Sequence, residues 1–503
     1  MLDGNLTKAV LKKSVGKKVE WDFNVPDSKN DILKILSQTL EGTVLEYDVK
    51  ETSFNAKIRV QANILYIPDS SDEPGIAAIE NTETIVIKTE VASGLQWDFA
   101  NVLLNLKNLT PVLINSRKVG IRANADLGIS LIKNMTIPQI DCQNNRIETR
   151  TQEIETYLSV ISTEDKIPIS LNMPLPSGNP AVTEILKTDL VIRNKDLKPI
   201  SNKVVLKGDL ETMILYISVD NTLETAEFSS PFTEIVDVAG LTDELELLYD
   251  AKTYKNEVIT QENETGESRN IAINGYIDLK VTANERINQT IVVDAYSPVF
   301  KDTSKRDLLE YEEVSDIISD SVMIKEVVYF EDVNISEVSY MITDSFVRKA
   351  EIIGNKVDIS GTLSANVFIK TDNGINSSIK EITFSYPQDG FKNKNYDNVS
   401  VNSEIGNLSY NIVGGNAIEI RATVILHTRL SKINRLNYIC DIKLDENKKH
   451  AVTRAPIVAY FIKEEDTLFG VAKKFCTTTQ KIREINDLSE DNEINVGQYI
   501  IIE

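Results

Sequence analysis

The run Lys203–Ile217, KVVLKGDLETMILYI, decides the architecture, because parts of it recur along the chain. Its last four residues, ILYI at Ile214–Ile217, also stand 150 residues earlier at Ile64–Ile67. The same offset carries Pro26 onto Pro176, Ile35 onto Ile185 and Leu36 onto Leu186, and VASGL at Val91–Leu95 has a counterpart in VAGL at Val238–Leu241. A third copy is fainter: Lys203, Val204 and Gly208 match Lys356, Val357 and Gly361, and NVFI then replaces ILYI. The units also end alike, in VGIRANADLGISL (Val119–Leu131), IAINGYIDLKV (Ile271–Val281) and IEIRATVILHTRL (Ile418–Leu430). Self-similarity at a fixed spacing is the mark of a repeat architecture, and three divergent copies are placed at 20–160, 161–305 and 306–444, the last including a linker.

Each copy alternates apolar and polar residues in short runs, as in Phe54, Ala56, Ile58, Val60 and in Ile277, Leu279, Val281. Period two means half-buried strands. Asn, Asp, Gly and Pro gather between the runs, as in PDSSDEPG (Pro68–Gly75) and TDNG (Thr371–Gly374). The expected fold is therefore mainly β: three tandem β-rich, sandwich- or barrel-like repeat domains. A short helix is expected at Ala181–Leu186, a linker at Leu308–Ser319 and a charged linker at 445–456. Residues 1–19, with Lys8, Lys12, Lys13, Lys17 and Lys18, read as a basic tail, disordered or forming a short surface helix.

Composition narrows function. The 503 residues hold 76 acidic and 54 basic side chains, a formal charge of −22, which argues against a nucleic-acid partner. Two histidines, His427 and His450, leave little room for imidazole chemistry or His-rich metal sites. Cys142, Cys440 and Cys476 are far apart and odd in number, as expected of bland thiols in a reducing compartment. The N-terminus has no apolar core of a secretory signal, and no stretch nears the ~20 apolar residues of a membrane span. A cytoplasmic location follows as an expectation. The carboxylates Glu310, Glu312 and Glu313 read as solvated or interdomain groups rather than an acid/base pair, and Trp21 and Trp97 as core anchors. Nothing in the sequence makes a catalytic or metal-binding constellation or a cofactor loop, so the chain reads as a non-enzyme.

The last residues, 457–503, change character. A strand-like run, Val458–Lys463, precedes Leu468, Val471, Ala472 and Phe475, which form one helical stripe behind Asp466 and Thr467. Thr478 or Thr479 caps a second helix bearing Ile482 and Ile485, and Tyr499–Ile502 closes as a strand. The order is βααβ, a small α+β module.

This module resembles a LysM domain, through Asp466-Thr467-Leu468-Phe469 where the family has D-T-L-W, then Ala472–Phe475, Ile482, Ile485-Asn486, Leu488 and Val496-Gly497-Gln498. LysM domains bind N-acetylglucosamine glycans in a shallow groove between two loops. The resemblance places one lip at Glu464, Glu465, Asp466, Thr467, Leu468 and Phe469, and the other at Asn492, Ile494, Asn495 and Val496. Two departures stand out: Glu465 replaces the usual glycine, so three carboxylates crowd one lip, and Phe469 lacks the indole N–H donor. Three β-rich repeats followed by a LysM module also resemble the SipL-like spore coat morphogenetic proteins of endospore-forming anaerobes, most clearly in Val204–Ile217 and Glu224–Leu241. That resemblance implies a non-enzymatic mother-cell assembly factor at the forespore surface, binding the coat-basement ATPase SpoIVA through its LysM module, together with other coat proteins. The alternative is a peptidoglycan- or N-acetylglucosamine-binding protein of the wall or cortex.

Overall fold

The computed structural model describes residues 5–50, 52–69, 75–108, 111–138, 140, 146–331, 333–372, 374–391, 396–450, 458–489 and 494–502. Cys142 and Asn492 lie outside them.

Each repeat is a sandwich of two sheets, mainly three-stranded. In the first, β1 (Asn5–Asn24) is followed by a meander, β2 (Ile32–Lys50), β3 (Ser53–Pro68) and β4 (Ala77–Glu90), and then by β5 (Phe99–Asn108), β6 (Val112–Asn115) and β7 (Lys118–Thr136). The meander is one sheet, while β7 runs between β1 and β5 in the other, with β6 continuing the β5 side. The second repeat follows the same plan with β8 (Glu148–Pro174), the meander β9 (Val182–Ile200), β10 (Lys203–Ser218) and β11 (Leu223–Asp237), then β12 (Glu246–Glu262) and a central β13 (Ser268–Tyr296). The third does so with β14 (Phe300–Tyr329), the meander β15 (Ile335–Ile353), β16 (Lys356–Thr371) and β17 (Gly374–Gln388), then β18 (Asn398–Val413) and a central β19 (Ala417–Lys449). The alternating residues read from the sequence line the cores: Val204, Leu206, Ile214, Tyr216, Ile271, Ile273, Ile277 and Leu279 are all buried between the two sheets of repeat 2. The chain closes with β20 (Ala459–Phe461), α1 (Leu468–Lys474), α2 (Thr479–Ile485) and β21 (Tyr499–Ile501).

The meanders join head to tail: β4 meets β9, β11 meets β15, and β17 meets β2, so the three repeats form a ring. At its centre lie Leu65, Leu215 and Phe368, the second residues of ILYI, ILYI and the third copy's VFI run, each fully buried in one shared cluster. Opposite them across the ladder stand Ser37, Lys187 and Tyr340, equivalent positions in the three repeats. All three first meander strands carry the same pair of bulges, which leave Leu33 and Leu36, Thr183 and Leu186, and Ser336 and Ser339 unpaired. A bulge shifts the faces by one residue. This is why the adjacent Leu186 and Lys187 both reach the ring joint, while Ile185 packs against the sandwich core.

Polar contacts at the joint differ among the three positions. Lys187, 4% exposed, gives its ammonium to the Asp189 carboxylate at 2.7 Å and to Thr39 Oγ1 at 3.2 Å, while the Tyr340 hydroxyl donates to the same carboxylate. Burial raises the Asp189 pKa, but the Lys187 charge and these hydrogen bonds outweigh it and leave the carboxyl below its ordinary range. Asn366 Nδ2 donates to Ser37 Oγ at 2.9 Å, closing the third seam. Nearby, Lys195 of repeat 2 pairs with Glu404 of repeat 3 at 2.6 Å. A second apolar joint gathers the overlong outer strands around Leu6, Ile154, Ile291, Leu309 and Tyr438.

Four sequence expectations are corrected. The expected tail at 1–19 is, from Asn5 onward, the strand β1, paired with β7 and anchored by Leu6 and Val19. Its lysines lie along a strand, Lys13 and Lys17 donating to carbonyls of Glu90 and Val86. The expected helix at Ala181–Leu186 is instead, from Val182, the start of β9, whose first two bulges turn period two into a spacing that mimics helical periodicity. Leu308–Ser319 is not a linker but the middle of β14, where Glu310 pairs with Arg435 and Glu312 with Arg429 across to β19. The boundaries at 160/161, 305/306 and 444/445 fall inside β8, β14 and β19, since these strands outrun their sandwiches to build the second joint.

Replacing Asp189 by Asn is expected to cost ~3–5 kcal/mol, because it strands a buried ammonium, whereas Lys187→Met with Asp189→Leu should recover most of that loss. Chemical denaturation of the two variants beside wild type checks this. Burial also raises the Glu404 pKa, but the hydrogen bond to His427 and the Lys195 charge overcome it, holding the carboxyl at about 2. A depressed carboxyl stabilises above its unfolded pKa of ~4.3 and loses that contribution as pH falls towards 2. Glu404→Gln should therefore flatten the acid limb of a melting-temperature profile between pH 4.5 and 2.

Candidate functional site

The LysM-like module is built around Ile462, Val471, Ala472, Ile482, Ile500 and Ile502. Thr467 caps α1 by accepting the Gly470 N–H at 3.0 Å, and Thr478 caps α2 by accepting that of Lys481 at 3.1 Å. Asn486 holds β21 from outside: its Nδ2 donates to the Ile501 carbonyl at 2.6 Å and its Oδ1 accepts the Ile501 N–H at 2.7 Å. The two expected lips lie side by side, since Gly497 N–H donates to the Ile462 carbonyl and Ile462 N–H to that of Gln498.

The lip residues divide by role. Asp466 is occupied within its own turn, accepting from Lys463 N–H at 2.8 Å and from the Tyr460 hydroxyl at 3.1 Å, and the Lys463 N–H holds its carboxyl below the ordinary range. Thr467 is the cap and Leu468 packs into the module core. Glu464 and Glu465 are exposed, as are Asn495 and Val496 on the other loop, while Ile494 is half-buried. Asn492 lies outside the described residues.

Phe469 turns towards repeat 2 rather than into an open groove. Its ring meets Tyr296 edge to face at 5.2 Å, with the Arg150 guanidinium 6.0 Å from its centre. Tyr296, only 3% exposed, donates its hydroxyl to the Thr477 carbonyl at 2.7 Å, and burial, with Glu148 close by, pushes that hydroxyl well above the tyrosine range. Lys473 pairs with Asp294 at 2.7 Å, and Thr479 Oγ1 donates to Glu148 at 3.1 Å. The module is thus docked on the end of β8 and β13. Tyr296 carries no motif that marks this role; the signal that could find it is the run IVVDAY, whose apolar residues continue past the last core position of β13.

One other cluster has the outline of a catalytic triad. Ser319 Oγ lies 2.8 Å from His427 Nδ1, and His427 Nε2 lies 3.4 Å from Glu404. These residues stand on β14, β19 and β18, neighbouring strands of one sheet, and Ser319 is exposed on its surface. Glu404 is shared with Lys195, so the cluster ties repeat 2 to repeat 3. Among the described residues, no three or more His, Cys, Asp and Glu side chains are grouped to hold a metal ion.

Glu465 sits at φ +71°, in the left-handed region that suits glycine. Glu465→Gly removes about 1 kcal/mol of backbone strain. The expected outcome is roughly fivefold slower hydrogen exchange at the Ile462 and Ile500 amides.

Comparison with family models finds the SipL, SPOCS domain at residues 181–258, which covers β9 to β11 and most of β12, and a LysM domain at residues 460–503. No curated protein and no solved structure matches the chain. No helix among the described residues is long and apolar enough to cross a membrane. The chain thus carries a SipL SPOCS domain and a LysM domain, and the two together fit a sporulation or spore coat protein with a peptidoglycan-binding-like module.

Proposed function

We propose that this chain is a non-enzymatic scaffold of spore coat assembly, acting in the mother cell at the forespore surface, whose LysM module binds the coat-basement ATPase SpoIVA. The observation that carries the reading is the pairing of a SPOCS domain with a LysM module whose groove departs from sugar recognition. Phe469 is engaged with Tyr296, and Glu464 and Glu465 line the exposed lip. Peptidoglycan carries carboxylates of its own, so an acidic lip on a chain of charge −22 disfavours it. A protein with a complementary basic surface gains from the same charges. The ring of repeats suits a scaffold, since its joints fix three sandwiches and the docked module in one orientation.

The second reading, a glycan-binding protein, draws on the LysM match itself and on the open loop bearing Asn495 and Val496.

Tagged full-length protein, recovered from sporulating cells and tested in parallel for sedimentation with insoluble peptidoglycan, separates the two. Co-purification of the ATPase, reproduced with the purified partners and without sedimentation, is the expected result. Sedimentation with no ATPase recovered supports the glycan reading instead.

A further inference from the structure

The β20–β21 ribbon of the LysM module is apolar on both faces. Successive side chains of a strand point to opposite sides, and here Tyr460 and Ile500 turn inward onto the helices. The outward set is Ala459, Phe461, Tyr499 and Ile501, none of them charged. Phe461, Tyr499 and Ile501 are 46%, 71% and 40% exposed, and the first two, directly paired across the ribbon, meet edge to face at 5.0 Å. Val496, 64% exposed on the adjoining turn, extends the ridge. An antiparallel ribbon with one wet face ordinarily carries polar side chains there, and a contiguous apolar ridge raised into water marks a contact surface.

Docking on repeat 2 does not account for this ridge. That contact uses Phe469, Lys473, Thr477 and Thr479, so the outer ribbon face is left uncovered. Strand addition along β21 is closed as well, because the Asn486 side chain already takes both backbone groups of Ile501. A partner seated on this ridge meets the face of the ribbon through side chains. The turn leading from β20 to α1 adds Glu464 and Glu465, both exposed and neither paired with a cation among the described residues.

We infer that the outer ribbon face, Phe461, Tyr499, Ile501 and Val496 edged by Glu464 and Glu465, is the surface on which the module receives a protein partner whose contact segment carries aliphatic side chains flanked by Lys or Arg. This rests on the scaffold reading above and names the face and the chemistry that it requires.

The test places a photo-reactive benzoylphenylalanine at Tyr499 of the full-length chain in sporulating cells, with the same residue at the exposed Met323 of β14 as control. A cross-linked protein segment rich in aliphatic residues and Lys or Arg, captured from Tyr499 and not from Met323, is the expected result. The protein so identified is then purified and titrated against wild type and Phe461→Ala/Tyr499→Ala, the double variant first shown to melt as wild type does. A loss of tenfold or more in affinity is expected. Cross-linking no greater than at Met323, cross-linking to glycan alone, or unchanged affinity of the double variant would overturn the inference. A cross-linked protein other than the coat-basement ATPase leaves the ridge standing and overturns the partner named above, so the two readings fail separately.

Discussion

Everything else in this chain depends on burying three side chains together, Leu65, Leu215 and Phe368, one from the central strand of each meander. A sandwich repeat has one apolar interior, but here the meander must also be apolar on its outer side, at one place only. The run ILYI meets that demand: Ile64 and Tyr66 face the sandwich while Leu65, between them, faces the joint. A strand buried on both faces reads as a continuous apolar run rather than an alternation, which is why this string is the best preserved between repeats. Burial of each such side chain is worth ~1.5–3 kcal/mol, and the double bulge in the first meander strand adds Leu36 and Leu186 to the same joint.

The joint is equivalent in backbone but not in chemistry. Ser37, Lys187 and Tyr340 occupy matching positions, and a single carboxylate, Asp189, serves the last two. Taking an ion pair out of water returns little net stability, whereas breaking one already buried is costly. A lysine at one position, with its acid placed two residues on and a phenol reaching in from the next repeat, can be satisfied only when the repeats meet in this order. Divergence of the copies is therefore part of how the ring closes.

Much of this was legible in the sequence. The offset of 150 and the alternation at Phe54–Val60 mark strands and copies, since both record burial directly. What escaped reading is what burial does not encode locally. The lysines of β1 stand among residues whose partners lie far along the chain in β7, so the strand reads as a tail. The bulges of β9 changed its period, and a strand looked like a helix. The acidic run of β14 is balanced by Arg429 and Arg435 on β19, a neutralisation visible only once the strands are paired. In the module, helices, caps and closing strand follow the motif, because Thr467, Thr478 and Asn486 act through local hydrogen bonds. Its docking does not, because Tyr296 lies far upstream.

The replacement of tryptophan by Phe469 belongs with that docking. An indole turned towards Tyr296 would carry an N–H donor that needs an acceptor of its own at this seat. Phenylalanine offers an aromatic edge-to-face contact with no donor to satisfy. Phenylalanine at this position thus suits the module to a fixed seat on repeat 2. Once seated, the module turns its ribbon outward, so the orientation of Phe461 and Tyr499 is set by Asp294, Tyr296 and Glu148 on the ring and not by the module alone.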